Sequence, residues 1–150
     1  MWQSNYEKIF PGLDRQAVWA AWADVNSWPQ WDEELELTSL AGPFEEGAQF
    51  VLKPKGGPKV TIQIVFMKPH FAFTDVARFS MAKMYDIHEM EETPEGLKLK
   101  SSIRVEGWLG WLWKKIVAQG VAEGVPKQME ALASFVQAKQ RKTSFDHAQK

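Results

Sequence analysis

The stretch Ala17-Val-Trp-Ala-Ala-Trp-Ala-Asp-Val-Asn-Ser-Trp-Pro-Gln-Trp-Asp-Glu-Glu34 holds four of the chain's eight tryptophans: Trp19, Trp22, Trp28 and Trp31. Three explanations compete: stacking on nucleic-acid bases, seating at a membrane surface, or building a core. Spacing decides between them. Val18, Trp22 and Val25 are separated by four and three residues, so they share one helical face. Asp14 stands where an N-cap belongs, ready to accept from the free amides of the first turn. Ser27 is expected to cap a second short helix, because Pro29 is tolerated in a first turn where its missing N–H has no partner anyway. Trp28 and Trp31 then lie on one side of that turn. On this reading Trp22 is core, Trp19 packs beside it, and Trp28 and Trp31 close over whatever lies beneath.

Charge argues the same way. Lys plus Arg total 18 against 19 for Asp plus Glu, so no overall field gathers phosphates, and no nucleic-acid partner is expected. Cysteine is absent, which removes disulfides, thiolate metal sites and a cysteine nucleophile. No segment reaches the ~18 apolar residues of a membrane span, and the first residues do not form a signal peptide. A cytoplasmic location and no stable membrane insertion are the resulting expectations.

Upstream of the tryptophans, residues 2–10 read as a strand ended by Pro11-Gly12. Downstream, from Leu35 to Glu106, the hydrophobic period changes to two, with turn signals in AGPFEEG, KPKGGPK, MKPH and ETPEG. Strands are expected near 35–40, 48–54, 59–67, 71–77, 82–91 and 96–106. Val60, Ile62, Ile64 and Phe66 fall on one face, as do Leu97, Leu99, Ser101, Ile103 and Val105, which predicts an antiparallel sheet with one dry side. After Gly107 a helical pattern runs to about Lys139. Leu109, Trp113, Ile116 and Gly120 form one stripe, whereas Val125, Met129, Leu132 and Val136 form a nearly opposite one. Gly120, Gly124 and Pro126 lie between the stripes, so a kink or break is expected there. One domain over 1–141 and a flexible tail over 142–150 complete the reading.

The order of these elements, with Val18-Trp19, Asp24-Val25, the WPQW of 28–31, Gly47, His88 and Gly107 before WLGWLW, resembles the START/Bet v 1-like (SRPBCC) superfamily. The likeness is to its polyketide cyclase/dehydrase-like branch of small bacterial proteins and covers about residues 2–140. It implies an α+β helix-grip fold: a curved seven-stranded antiparallel sheet wrapped around a long, kinked C-terminal helix, with two short helices after the first strand. It also implies a cavity between sheet and helix for a lipid-like or polyketide/aromatic molecule. The residues expected at that cavity are Trp28, Trp31, Phe50, Ile62, Ile64, Phe73, Met84, Asp86, His88, Ser101, Ile103, Trp113 and Gly120.

Chemistry concentrates in AKMYDIHEM, where alternation puts Ala82, Met84, Asp86, His88 and Met90 on one face. Phe71, Phe73, Asp75 and Ala77 share a face of the preceding strand, so a tight hairpin sets Asp75 opposite or diagonal to Asp86. In a water-poor site these groups shift one another's pKa values, which makes Asp86, His88 and Asp75 candidates for acid–base catalysis of a cyclase or dehydratase type. An Asp and a His two apart on a strand equally form structural hydrogen-bonded pairs, and binding without catalysis needs them only to orient a ligand. Whether the protein is an enzyme stays open.

His70, His88 and His147 show no metal-ligand spacing, and there is no HExxH, phosphate loop or dinucleotide fingerprint, so neither metal nor cofactor is expected. Lys53, Lys55 and Lys59 read as a solvated hairpin. The second aromatic cluster, GWLGWLWKK, is compatible with the core, a membrane boundary or a dimer contact, since Trp111 falls off the stripe of Leu109 and Trp113. A monomer or weak homodimer is expected. Three functions remain in competition: a carrier or sensor of a small hydrophobic molecule, an enzyme, and an interaction module acting through its tryptophans. A cavity of a few hundred Å3 supports the first two, a packed interior the third.

Overall fold

The computed structural model describes residues 1–148, with side chains described through residue 144. Strand β1 (Trp2–Phe10) leads into helix α1 (Arg15–Ala23) and a 3-10 helix over Val25–Gln30. Six strands follow: β2 (Leu35–Ser39), β3 (Gln49–Pro54), β4 (Val60–Lys68), β5 (Ala72–Phe79), β6 (Ala82–Thr93) and β7 (Gly96–Glu106). The chain ends in α2 (Gly110–Trp113), a π-helical segment over Lys114–Ala118, and α3 (Gln119–Ala148). All strands pair antiparallel in the order β1-β7-β6-β5-β4-β3-β2. This is the helix-grip architecture: one face of the sheet carries α3, and α1 with the 3-10 helix closes one end of the space between them.

Asp14 caps α1 as its position suggests, its carboxylate accepting from the Ala17 amide at 2.9 Å. The face formed by Val18, Trp22 and Val25 is buried. Ser27 does not cap the 3-10 helix. That helix begins two residues earlier behind Asp24, and Ser27 lies inside it with its hydroxyl donating to the Asp24 carboxylate at 2.6 Å. Local spacing located the turn but not its start, because Val25 is held by the core on one side and its carbonyl accepts from buried Thr38 at 2.6 Å on the other.

In the sheet, Leu97, Leu99, Ser101, Ile103 and Val105 are all buried. Ile62 and Ile64 are buried likewise, but Phe66 is not; it is 50% exposed. A register shift between Ile64 and Phe66 against β5 reverses the alternation, so Met67 turns toward the core in place of Phe66. A bulge of this kind moves every later side chain to the other face, which period-two reading cannot anticipate.

The C-terminal helix departs most from expectation. Its interruption is the π segment at 114–118, upstream of Gly120, Gly124 and Pro126, and α3 continues through Pro126. A wider turn adds one residue and so rewinds the apolar stripe by about 100°, the change of phase for which a kink had been inferred. Consequently Ile116 is 61% exposed and Gly120 faces solvent, while Ala118, Val125, Met129, Leu132 and Val136 are buried. Regular helix also extends through residues 142–148, past the end of the sequence periodicity, whereas residues 149–150 lie outside the described residues. Gln140 ties this end of α3 to the start of α1, donating to the Gly12 carbonyl and accepting from the Asp14 amide.

Gly107, at the corner between sheet and helix, has φ 113°, and a Cβ there would lie 2.5 Å from the Met81 carbonyl. The closeness matters because residues 80–81 form the two-residue β5–β6 turn, with Met81 in the left-handed region at φ 56°. The Leu109 amide donates to the Met81 carbonyl at 3.1 Å, and the Trp113 indole to the Ser80 carbonyl at 2.9 Å. RFSMA carries no turn signature because the start of the helix, not local propensity, holds this turn.

Candidate functional site

That turn sets the register of β5 on β6. Asp75 stands directly opposite Asp86, and Phe73 opposite His88. On the other side of β6, Ser101 stands opposite His88. The four polar groups thus form a patch on the concave face, among side chains that are otherwise apolar. The His88 ring stacks on Phe73 at 4.4 Å with an 18° interplanar angle, and the Trp22 ring lies 5.7 Å away. Its Nε2 lies 3.2 Å from Asp86 Oδ1 and 3.6 Å from Asp75 Oδ2.

Neither contact is a hydrogen bond: the second is too long and the first is misaligned. Four buried polar atoms therefore lack a partner in this region: His88 Nε2, Asp86 Oδ1, Ser101 Oγ and Trp31 Nε1. Burial, strengthened by the Asp75 charge and opposed by His88, pushes the Asp86 carboxyl up to about 6. For His88 burial works toward a lower value, but the adjacent Asp86 and Asp75 carboxylates outweigh it and raise the imidazole above its ordinary range. Burial thus holds Asp86 toward its neutral form, whereas the two carboxylates hold His88 toward its protonated one.

The patch forms one wall of a cavity of about 90 Å3 between the sheet and α3. Ile62, Phe73, Asp75, Asp86, His88, Leu99 and Ser101 line it from the sheet; Val125, Gln128, Met129 and Leu132 from α3; Trp22, Trp28 and Trp31 from the short helices. Leu35 and Leu52 at the far strands, with Lys100 on β7, complete the wall. This lies between the two sizes set against each other above, smaller than the few hundred Å3 of an open ligand pocket.

Of the residues expected at the cavity, Trp28, Trp31, Ile62, Phe73, Asp86, His88 and Ser101 line it. Phe50, Ile64, Met84 and Ile103 instead fill the core around it, Phe50 edge-on to Trp28 at 5.4 Å. Trp113 stacks on Phe79 at 4.6 Å, away from the cavity, and Gly120 faces solvent. Lys53 pairs with Glu36, and Lys55 and Lys59 are exposed. The side chain of His147 lies outside the described residues, and His70 packs against Trp19.

Two polar residues that the sequence did not single out hold the tryptophan lid. Asp32, buried beside Trp31, accepts from the Glu34 amide at 3.0 Å and from the Gln128 side chain at 2.7 Å, joining the lid to α3. Asn26 exchanges two hydrogen bonds with the Leu40 backbone and joins it to the end of β2. The acidic run WDEE gave no sign that its first carboxylate is buried, since its partner is distant in sequence.

The family model described as polyketide cyclase / dehydrase and lipid transport matches residues 2–137. The chain belongs to this family. No curated protein matches it. Among solved structures, a hypothetical protein of Helicobacter pylori is similar in fold, with 14% identity, TM-score 0.72 and coverage of 90% of this chain and 88% of that one. A START superfamily protein from Mycobacterium smegmatis has 15% identity, TM-score 0.64 and coverage of 90% and 97%. DynU16, from the dynemicin biosynthetic locus, has 18% identity and TM-score 0.67; the match covers 90% of this chain and 47% of DynU16. Helix-grip membership of the START/Bet v 1-like superfamily is thereby established, and no described helix is long and apolar enough to cross a membrane.

Proposed function

We propose that the protein binds a small hydrophobic or amphipathic molecule between its sheet and α3, with the polar end of that molecule at the Asp86–His88–Ser101 patch. The observation that carries this reading is the set of buried, partnerless polar atoms in an apolar cavity. Each such atom costs about 1–3 kcal/mol when left unpaired, so their convergence marks a place where a bound group restores hydrogen bonds. Trp31 Nε1 supplies a donor for a carbonyl or hydroxyl oxygen. An apolar body larger than the 90 Å3 space requires the lid to move, and the Asp32–Gln128 hydrogen bond is the contact that yields.

The test is binding of 1-anilinonaphthalene-8-sulfonate as a probe, together with native mass spectrometry of protein purified from its own host. Saturable binding, weakened about tenfold by Trp31→Phe and abolished by the space-filling Leu132→Phe, is expected. No retained small molecule, together with probe binding indifferent to Leu132→Phe, overturns the reading. For any retained ligand with an enolisable carbonyl, turnover lost in His88→Gln at little-changed affinity identifies acid–base catalysis as the use made of the patch.

A further inference from the structure

The same patch has the geometry of a cation site. We infer that Asp75, Asp86 and His88 bind a divalent first-row transition-metal ion, with Ser101 beside its open coordination positions. One ligand atom from each of the three residues lies within 4.8 Å of the others. Bonds of roughly 2.1 Å to nitrogen and oxygen place neighbouring ligand atoms roughly 3.0–3.4 Å apart in octahedral or tetrahedral geometry. Of the separations from His88 Nε2 to the two carboxylate oxygens, 3.2 Å lies inside that range and 3.6 Å lies about 0.2 Å beyond it.

The unpaired atoms supply an independent reason. His88 Nε2 and Asp86 Oδ1 are close enough to hydrogen-bond and do not, which leaves both atoms free to take a third partner. Ser101, 6% exposed and opposite His88, turns a partnerless hydroxyl into the same cavity. Charge adds a third. Two aspartates directly opposed on neighbouring strands repel, and among the described residues His88 is the one basic side chain with a nitrogen within 4.0 Å of either carboxylate. A divalent ion cancels that repulsion outright.

Donor type selects the ion. One imidazole nitrogen and two carboxylate oxygens suit Mn2+, Fe2+, Co2+ or Zn2+, whereas the absence of cysteine leaves no thiolate for softer metals. All three ligands sit on paired strands, which fixes their separations. Histidine spacing along the chain could not disclose the site, because its other members are aspartates brought in by strand pairing.

The test uses the full chain, stripped with a chelator and titrated with Co2+ and then Zn2+ in the absence of any organic ligand, so its outcome is independent of the hydrophobic-ligand reading. One ion per chain at micromolar or tighter Kd is expected, with visible d–d absorption for Co2+ and a raised Tm for Zn2+. Asp86→Asn and His88→Gln should each weaken binding at least 100-fold. The double variant His70→Gln/His147→Gln should bind as the parent does. Failure of the parent chain to bind either ion more tightly than millimolar overturns the inference, whether or not the site variants fold. So does binding that survives His88→Gln and disappears in the His70/His147 variant.

Discussion

The two tryptophan clusters are alike in composition and opposite in fate. Trp19, Trp22 and Trp28 are buried and in edge-on or tilted contact with Phe44, Phe50, Phe73 and His88, while Trp31 reaches the cavity from the end of the 3-10 helix. Trp108 and Trp111 are 86% and 61% exposed, and only Trp113 of that group finds a stacking partner. Helical spacing explains the first cluster, since one face of α1 and one side of the 3-10 helix meet the dry side of the sheet. At the second, the chain turns a corner at Gly107 and enters a helix whose fifth to ninth residues form the π segment, so no single face persists long enough to be buried. A tryptophan is a core residue only where the backbone keeps returning it to the same side.

The contrast is broken most sharply by stability measurements. Truncating Trp22 or Trp28 to Ala should cost about 3–5 kcal/mol in denaturant unfolding, whereas Trp108→Ala should stay within about 0.5 kcal/mol. Equal losses at Trp28 and Trp108 would mean that the outer cluster is buried in solution, by a second copy or another surface.

A smaller effect sharpens the chemistry of the inner cluster. With metal removed by chelator, raising the pH from 4 to above 6 ionises Asp86 earlier in the unfolded chain, where its value is 3.8, than in the folded one, at about 6. The folded state then binds more protons, so stability falls over this window, by on the order of 2–3 kcal/mol. His88, raised in the folded state, acts in the same sense: its contribution is complete below 6.5 and is lost as pH climbs through its folded value. Asp86→Asn should flatten the lower part of this curve; an unchanged slope would place the titrating group elsewhere. Smaller still, Gln128→Ala leaves the buried Asp32 oxygen unpaired and should cost about 1–2 kcal/mol. Its signature is local: amide exchange at Trp31 and Asp32, which both donate to the Trp28 carbonyl, should accelerate while β7 is unaffected.

Much of this organisation is legible in the chain. Period two located the strands to within about two residues, and alternation put Asp75 opposite or diagonal to Asp86 if the hairpin was tight, a register that RFSMA itself did not signal. What escaped was set by pairing over distance. The bulge that turns out Phe66 belongs to the fit of β4 on β5, and the π segment to the fit of a helix across a curved sheet. Sharing a face does not fix depth, so Ile64 and Ile103 were indistinguishable in sequence from Ile62, although only Ile62 reaches the cavity. Asp32 and Gln128 meet across most of the chain, beyond any local signal.

The sheet order carries one further consequence, for the time course of folding. Among the described residues β1 pairs along its whole length with β7, the last strand of the sheet in chain order, and with no other. As the chain is synthesised, the first strand of this sheet to emerge is the last to find its neighbour, and Trp2 and Tyr6, half-buried once docked, stay in water until residue 105 has been made. Closing so long a loop is slow, so the final rate-limiting event in folding is expected to be the docking of β1 onto a nearly finished sheet.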